Sequence, residues 1–279
     1  QASFSFINKL RLLGYKKSIS LICGENILPY QRPPLSKKYL MGELEQERLL
    51  LKPQSYYNEN NIEVIKGQKV QEIDRKKSKV FLDNGQTLEY NKLFLGLGSE
   101  PRLLPIELIH GISDINYIRN KGDVDLISNK FLTKRKILIL GGGFIGLEVA
   151  SAARKLGIDV TLLESQERIL KRSSSEIVAN YLKGIHVSNG VIIKEKTTVK
   201  KFLSKKNEFF GILTNNGEEI NADLLIAGVG IEPNTLIASN AGLSIDNGIV
   251  INKNCRTSDP KIYAAGDCVS FPFNENHIR

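Results

Sequence analysis

The chain has 279 residues, 41% hydrophobic and 25% charged, enough to hold two domains of ordinary size, each with a core of its own. No uninterrupted apolar stretch is long enough to span a bilayer and the first residues hold no secretory h-region, so neither a membrane span nor export is expected. The net charge is +9, but its clusters (Arg75-Lys76-Lys77, Lys134-Arg135-Lys136, Lys200-Lys201 with Lys205-Lys206) fall at predicted turns without aromatic interleaving. That argues against nucleic acid and for a solvated surface, or for steering of an acidic protein partner. The three cysteines, Cys23, Cys255 and Cys268, are far apart and form no CxxC. They fit a reducing, cytoplasmic setting and exclude a local redox dithiol and a metal cluster.

In chain order, Leu13-Gly14 ends a first helix, and Ser20-Leu21-Ile22-Cys23-Gly24-Glu25 reads as a strand running into an acid. A proline-rich stretch, Leu28-Pro29-Tyr30-Gln31-Arg32-Pro33-Pro34-Leu35-Ser36-Lys37, follows. Ile62-Glu63-Val64-Ile65 leads to Val70 and Ile73, then to a hairpin turning at Asp83-Asn84-Gly85, then to Leu93-Phe94-Leu95-Gly96-Leu97-Gly98. Pro101 and Pro105 mark a connection to a second half. That half opens on the strongest local signal, Lys136-Ile137-Leu138-Ile139-Leu140 running directly into Gly141-Gly142-Gly143-Phe144-Ile145-Gly146-Leu147-Glu148.

A buried parallel strand ending in G-x-G-x-x-G and entering a helix is the dinucleotide fingerprint. Gly141 permits the tight turn, Gly143 lets a pyrophosphate approach the backbone, and Gly146 lets the helix pack on the strand. The helix closes at Gly157, and a second strand, Val160-Thr161-Leu162-Leu163, ends in Glu164. An acid about 20 residues past the glycines is where a ribose 2′-hydroxyl is held. Val191-Ile192-Ile193, Val199, a turn at Asn215-Asn216-Gly217 and Leu224-Leu225-Ile226-Ala227-Gly228-Val229-Gly230 then repeat the plan of the first half. After Ile231-Glu232-Pro233-Asn234 comes a strand pair about Asp246-Asn247-Gly248. The last short strand ends in Ala265-Gly266-Asp267, a carboxylate at a strand end.

A duplicated nucleotide-binding unit implies two nucleotides. Aligning the halves sets Leu13-Gly14 opposite Leu156-Gly157 and Gln1 opposite Phe144. On that alignment the first strand and first two glycines of the first half precede residue 1, so an internal portion of a longer chain is expected.

These residues resemble the FAD-dependent pyridine nucleotide–disulfide oxidoreductase superfamily, and within it the ferredoxin reductases of oxygenase systems. The L-P-Y-Q-R-P-P-L-S-K stretch carries the resemblance furthest, because disulfide reductases present a cysteine pair there. The likeness implies an α/β protein with two Rossmann-like, glutathione reductase-like domains: a discontinuous FAD domain at 1–104 and 235–279, and an NAD domain at 105–234. On the same likeness, the family's C-terminal interface domain is expected to lie outside these residues. The likeness also implies FAD and NAD as cofactors and a [2Fe–2S] ferredoxin, or a rubredoxin, as acceptor. A relative of apoptosis-inducing factor acting through partner binding, or an NADH oxidase, is the alternative.

Carried over residue by residue, Glu25 matches the acid on the FAD adenosine ribose, and Val70 a backbone contact to adenine. Arg32, Pro33, Ser36 and Lys37 match residues lining the flavin, with Lys37 near its reactive edge. Arg119, Gly98, Gly266 and Asp267 match further flavin contacts. Gly141, Gly143, Phe144, Ile145, Gly146 and Glu164 match the NADH site, with Glu148 facing the nicotinamide beside Gly228, Val229, Gly230, Pro233 and Asn234. Lys37 and Glu148, expected on different domains, are the expected catalytic pair. The chain departs from the family at Gly96-Leu97-Gly98, where Ala-Thr-Gly is usual.

Overall fold

A computed structural model describes residues 1–109, 112, 114–274 and 276–278. The elements that carry the argument are, in chain order, α1 (Ala2–Leu12), β1 (Ile19–Cys23), β2 (Ile62–Lys66), β3 (Leu93–Leu95), β4 (Ile115–Asn116), α2 (Lys121–Phe131) and β5 (Lys136–Leu140). They continue with α3 (Phe144–Lys155), β6 (Asp159–Leu163), α4 (Glu176–Ser188), β7 (Val191–Lys194), β8 (Leu224–Ala227) and β9 (Ile262–Ala264). The chain forms two compact units, one of Gln1–Gln31, Glu47–Glu100 and Glu232–Arg279, the other of Arg32–Gln46 and Pro101–Ile231.

The second unit is built on a five-stranded sheet in the order β7-β6-β5-β8-β4, every pair parallel. Its central strand β5 is buried from Ile137 to Leu140, as a strand covered on both faces must be, which is why its sequence is a continuous aliphatic run rather than an alternation. Helix α3 turns Gly146, Leu147, Val149, Ala150, Ala152 and Ala153 inward, and the three alanines let its backbone lie close to the sheet. Helix α2 starts on a capping box in which Asn120 and Asp123 satisfy each other's backbone N–H groups. An antiparallel insertion, Val199–Lys205, Glu208–Thr214 and Glu219–Asn221, packs Phe202, Phe209 and Ile212 against Leu138, Leu140 and Leu225.

The first unit repeats this plan with one difference. It carries the matching antiparallel insertion, Val70–Asp74, Lys79–Leu82 and Thr87–Glu89, whose turn is closed by Gly85 at φ +85°. Its parallel strands stand in separate pairs: β2 with β1, β3 with β9, and Ile249–Val250 with Val269–Ser270. Among the described residues no strand fills the place that β5 takes in the second unit. The consequence is visible in burial: β8 is buried throughout, whereas two of the three residues of β3 are half-exposed. Helix α1 packs beside β3, with Phe6 stacked on Phe94 at 4.3 Å. A Cβ on Gly96 would meet the Ser3 hydroxyl at 2.3 Å, so the glycine that departs from the family pattern makes room for this helix.

The boundaries differ from those expected by a few residues at each crossing, now at 100/101 and 231/232, and in one whole segment. Arg32–Gln46 lies inside the expected 1–104 domain, yet it makes its contacts with the second unit. The physical reason is a set of polar attachments to α2 and α3, described below, that no local pattern encodes. Among the described residues no helix is long and apolar enough to cross a membrane.

Arg75 ties the first unit together. Its Nε donates to Asp259 at 2.8 Å, and its Nη1 donates to the carbonyls of Ala241 and Gly242 at 3.2 and 2.9 Å. Burial alone would raise the Asp259 carboxyl, but the Arg75 guanidinium and the Lys261 N–H outweigh it and hold the group below its usual value. A depressed folded-state pKa stabilises above the unfolded value and stops doing so as pH falls through the folded one. Arg75→Met is therefore expected to cost about 2 kcal/mol at neutral pH, and the gap should narrow in acid. Urea denaturation at pH 7 and at about pH 3, below the ordinary carboxylate range, measures both; an equal loss at the two values would exclude the charge pair as its source.

Candidate functional site

The glycine loop is held from two sides. Gly141 N–H donates to the Leu163 carbonyl at 2.8 Å, and Gly228 N–H to the Leu140 carbonyl at 2.7 Å. Gly141 sits at φ +107°, and a Cβ there would lie 2.3 Å from the Gly228 carbonyl oxygen, so both the turn and the close approach demand glycine. A Cβ on Gly146 would lie 2.1 Å from the Gly141 oxygen, which is the seam between helix and loop. Gly143 is different: it caps α3 with extended backbone, and nothing stands within 4 Å of where its Cβ would be. The open space therefore lies over Gly143, at the helix end whose first N–H groups have no acceptor within the helix.

Glu164 closes the other side. Its carboxylate accepts the Gly142 N–H at 2.7 Å and the Gln166 N–H at 2.7 Å, so both oxygens are pinned at the lip of the glycine turn. Glycines 141–143, Glu164, Ser165, Gln166, Thr197–Val199, Gly228, Val229 and Gly230 line one cavity of about 410 Å³. Phe144 and Ile145 stand exposed at the helix start.

A second group of expected residues comes together on the same unit. Pro33–Ser36 form a 3-10 turn begun by its prolines. Arg32 donates from its guanidinium to the Arg119 carbonyl, and the Arg119 N–H donates to Asp123 at 2.9 Å. The buried Ser36 hydroxyl donates to one oxygen of Glu148 while the Lys37 ammonium meets the other at 2.8 Å and also reaches the Pro33 carbonyl at 3.1 Å. Tyr39 fastens the segment to α2 by donating to Asp125 at 2.7 Å, an oxygen pair that Lys121 shares at 2.6 Å. Burial, and then the Asp125 bond, hold the Tyr39 phenol above its usual pKa. Lys37 and Glu148 were expected on different domains; they pair within one unit.

The remaining expected residues lie on the first unit. Glu25 accepts the Tyr30 hydroxyl at 2.7 Å, and its backbone carbonyl takes the Gly67 N–H at 3.1 Å. Gln68 follows, its N–H on the Cys23 carbonyl and its Oε1 buried without a partner among the described residues, two positions before Val70. Gly98 at φ +69° precedes Ser99, whose hydroxyl donates to Asp267 at 3.2 Å, and Gly266 at φ +89° precedes that acid. Asn234, expected beside the nicotinamide with Gly228, Gly230 and Pro233, belongs to a segment that folds with the first unit and donates to the Gly98 and Leu97 carbonyls at 3.0 Å each.

Sequence reasoning missed three features. Thr197 and Thr198 line the cavity beside Val199, and the repeat that pairs Val199 with Val70 would have pointed to them. Tyr30 as the partner of Glu25, and Ser36 as a second anchor of Glu148, carry no local signal.

The family model for pyridine nucleotide-disulphide oxidoreductases matches residues 1–278. The rhodocoxin reductase of Rhodococcus erythropolis is 37% identical over 272 residues, covering 98% of this chain and 64% of the relative. The putidaredoxin reductase of Pseudomonas putida is 37% identical over 266 residues, 94% of this chain and 63% of the relative. The chain thus spans just under two thirds of the length of these two reductases. Among solved structures, the covalent putidaredoxin reductase–putidaredoxin complex superposes with a TM-score of 0.92 at 36% identity, over 99% of this chain and 67% of that one. The ferredoxin reductase for the CYP199A2 system of Rhodopseudomonas palustris gives 0.95 at 31% identity, over 100% and 69%.

Proposed function

The chain belongs to the pyridine nucleotide-disulphide oxidoreductase family, and from that premise we propose that it works as an NADH-dependent flavoprotein reductase that passes electrons to a small [2Fe–2S] ferredoxin of an oxygenase system. The observation that carries this reading is the Glu148 carboxylate, gripped by Ser36 and Lys37 from the proline-rich segment, at the start of the dinucleotide helix. A segment that holds an ion pair and no cysteine offers electrons no internal disulfide, so they must leave to an external acceptor.

The residues present fit NADH, and those of the first unit fit the adenosine and polyol parts of FAD. In the second unit the open space over Gly143, the helix N-terminus and the Glu164 carboxylate suit the pyrophosphate and ribose of NADH. In the first unit Glu25, Val70 and the unpartnered buried Gln68 Oε1 suit an adenosine, and Gly98, Gly266 and Asp267 suit a polyol chain. Bound flavin supplies the exchange of one hydride for two single electrons. The chain's part is to hold and orient. Glu164 would receive the ribose diol, Phe144, Ile145, Gly228, Val229 and Gly230 would border the dinucleotide, and, on the family resemblance alone, Arg32, Pro33, Ser36 and Arg119 would serve the flavin. Glu148 fixes Lys37, whose cation favours negative charge developing beside it.

A rubredoxin is the second reading for the acceptor, since a rubredoxin–NAD(+) reductase of Pseudomonas putida is 36% identical over 259 residues. Three free cysteines suit a reducing, cytoplasmic setting.

The test is NADH-driven reduction of a [2Fe–2S] ferredoxin and of a rubredoxin by the FAD-loaded protein, repeated with NADPH. A carboxylate set against a 2′-phosphate should lower kcat/KM for NADPH by about a hundredfold. Equal values for the two nucleotides would remove Glu164 from the ribose, and reduction of neither iron protein would sink the reductase assignment.

A further inference from the structure

We propose that the second-unit cavity already contains a receptor for a 2′-phosphate, Arg172, whose pull on that group the Glu164 carboxylate alone outweighs. The proposal rests on the reading of this cavity as a dinucleotide site. The loop after β6 carries three cations that stand at different states of commitment. Arg168 spends its guanidinium on the carbonyls of Ile169 and Ser174, at 3.2 and 2.8 Å. Lys171 pairs with Glu167 at 2.7 Å. Arg172 is exposed, lines the cavity together with Glu164, Ser165 and Ser173, and makes no hydrogen bond or ion pair with the described residues.

The chemistry of these groups points to phosphate. A guanidinium presents paired N–H donors that match two phosphate oxygens, and serine hydroxyls add donors of the same kind. What opposes a phosphate there is one charge. Glu164 is fixed by the Gly142 and Gln166 N–H groups, so it cannot swing away to admit a second anion. Nucleotide preference in this chain therefore hangs on a single carboxylate, with the opposite preference built in behind it. The backbone bonds also say which replacement keeps the turn: glutamine retains a carbonyl oxygen for one N–H and the same volume, while losing the charge.

The experiment compares binding of adenosine 5′-phosphate and adenosine 2′,5′-bisphosphate to this chain by calorimetry, so that the readout is the affinity ratio and not turnover. The parent should favour the monophosphate. Glu164→Gln should shift the ratio toward the bisphosphate by at least about tenfold, and adding Arg172→Ala should cancel most of that shift. Arg172→Ala in the parent gives a second route that leaves the turn intact, and should widen discrimination against the bisphosphate. If Arg172 instead serves the 5′-phosphate, its loss weakens both ligands alike and the ratio stays put, which overturns the inference. A Glu164→Gln protein that binds the monophosphate yet gains nothing for the bisphosphate overturns it too. A parent that binds neither adenosine phosphate nor NADH takes down the dinucleotide reading itself, and the inference with it.

Discussion

Gly146→Ala is expected to unfold or badly weaken the second unit, whereas Gly143→Ala is expected to leave it folded and unable to hold NADH. Alanine in a helix is ordinarily favoured over glycine by about 0.5–1 kcal/mol. At Gly146 that gain is overwhelmed, because the new methyl would lie 2.1 Å from the Gly141 backbone oxygen. Neither side of that contact is a flexible side-chain end. Relief requires α3 to lift from the loop, exposing Leu147, Val149 and Ala150, which are buried against the sheet. Overpacking of this kind costs roughly 3 kcal/mol or more once backbone must move. Gly143 has φ −80° and no neighbour within 4 Å of its Cβ position, so alanine there costs no more than about 1 kcal/mol as a poorer cap. The methyl would nonetheless occupy the space in which a pyrophosphate meets the helix end. NADH affinity should fall by about a hundredfold with the melting temperature nearly unchanged. Thermal unfolding and NADH fluorescence titration separate the two variants. Tight NADH binding by Gly143→Ala would put the phosphates somewhere else.

The difference between these glycines also marks what was legible in the sequence. The spacing 141, 143, 146 after an aliphatic run announces strand, turn and helix, and the two Asn-Gly hairpins announce the paired insertions. The structure has all of these, because each depends on residues within a few positions of one another. What was not legible depends on distant partners. Arg32–Gln46 reads as part of the first half, and only Tyr39 on Asp125, Arg32 on the Arg119 carbonyl, and Ser36 with Lys37 on Glu148 assign it to the second unit. Tyr30 reads as one residue of a proline-rich stretch until its hydroxyl is found on Glu25. Arg172 looks like its neighbours Arg168 and Lys171, and becomes distinct only when their bonds are counted. Asn234 sits in a loop whose earlier glycines fold with one unit while it folds with the other.

Lys37→Met is expected to slow reduction of the flavin by NADH in the FAD-loaded protein while scarcely changing stability. The Lys37–Glu148 pair has good geometry at 2.8 Å, but the two side chains are 46% and 30% exposed. An ion pair that open to water is worth at most about 1 kcal/mol, or a few degrees of melting temperature in a domain of this size. Stability is therefore a weak reason for the arrangement, and an elaborate one for so small a return. Glu148 has both oxygens engaged, one by the Lys37 ammonium and one by the buried Ser36 hydroxyl, so the lysine is held where a mobile surface cation would wander. A fixed cation beside a centre that gains negative charge lowers the barrier to that gain, and removal of one such group costs roughly ten- to a thousandfold in rate. Methionine keeps most of the side-chain volume and removes the charge. Stopped-flow reduction and the flavin potential, measured beside the melting temperature, decide between the roles. Ser36→Ala is the companion variant: it leaves the cation in place but frees one Glu148 oxygen, and should give a smaller slowing in the same direction. If Lys37→Met leaves rate and potential unchanged and lowers only the melting temperature, the pair is a tie between the proline-rich segment and α3, and the proposed role at the flavin is wrong.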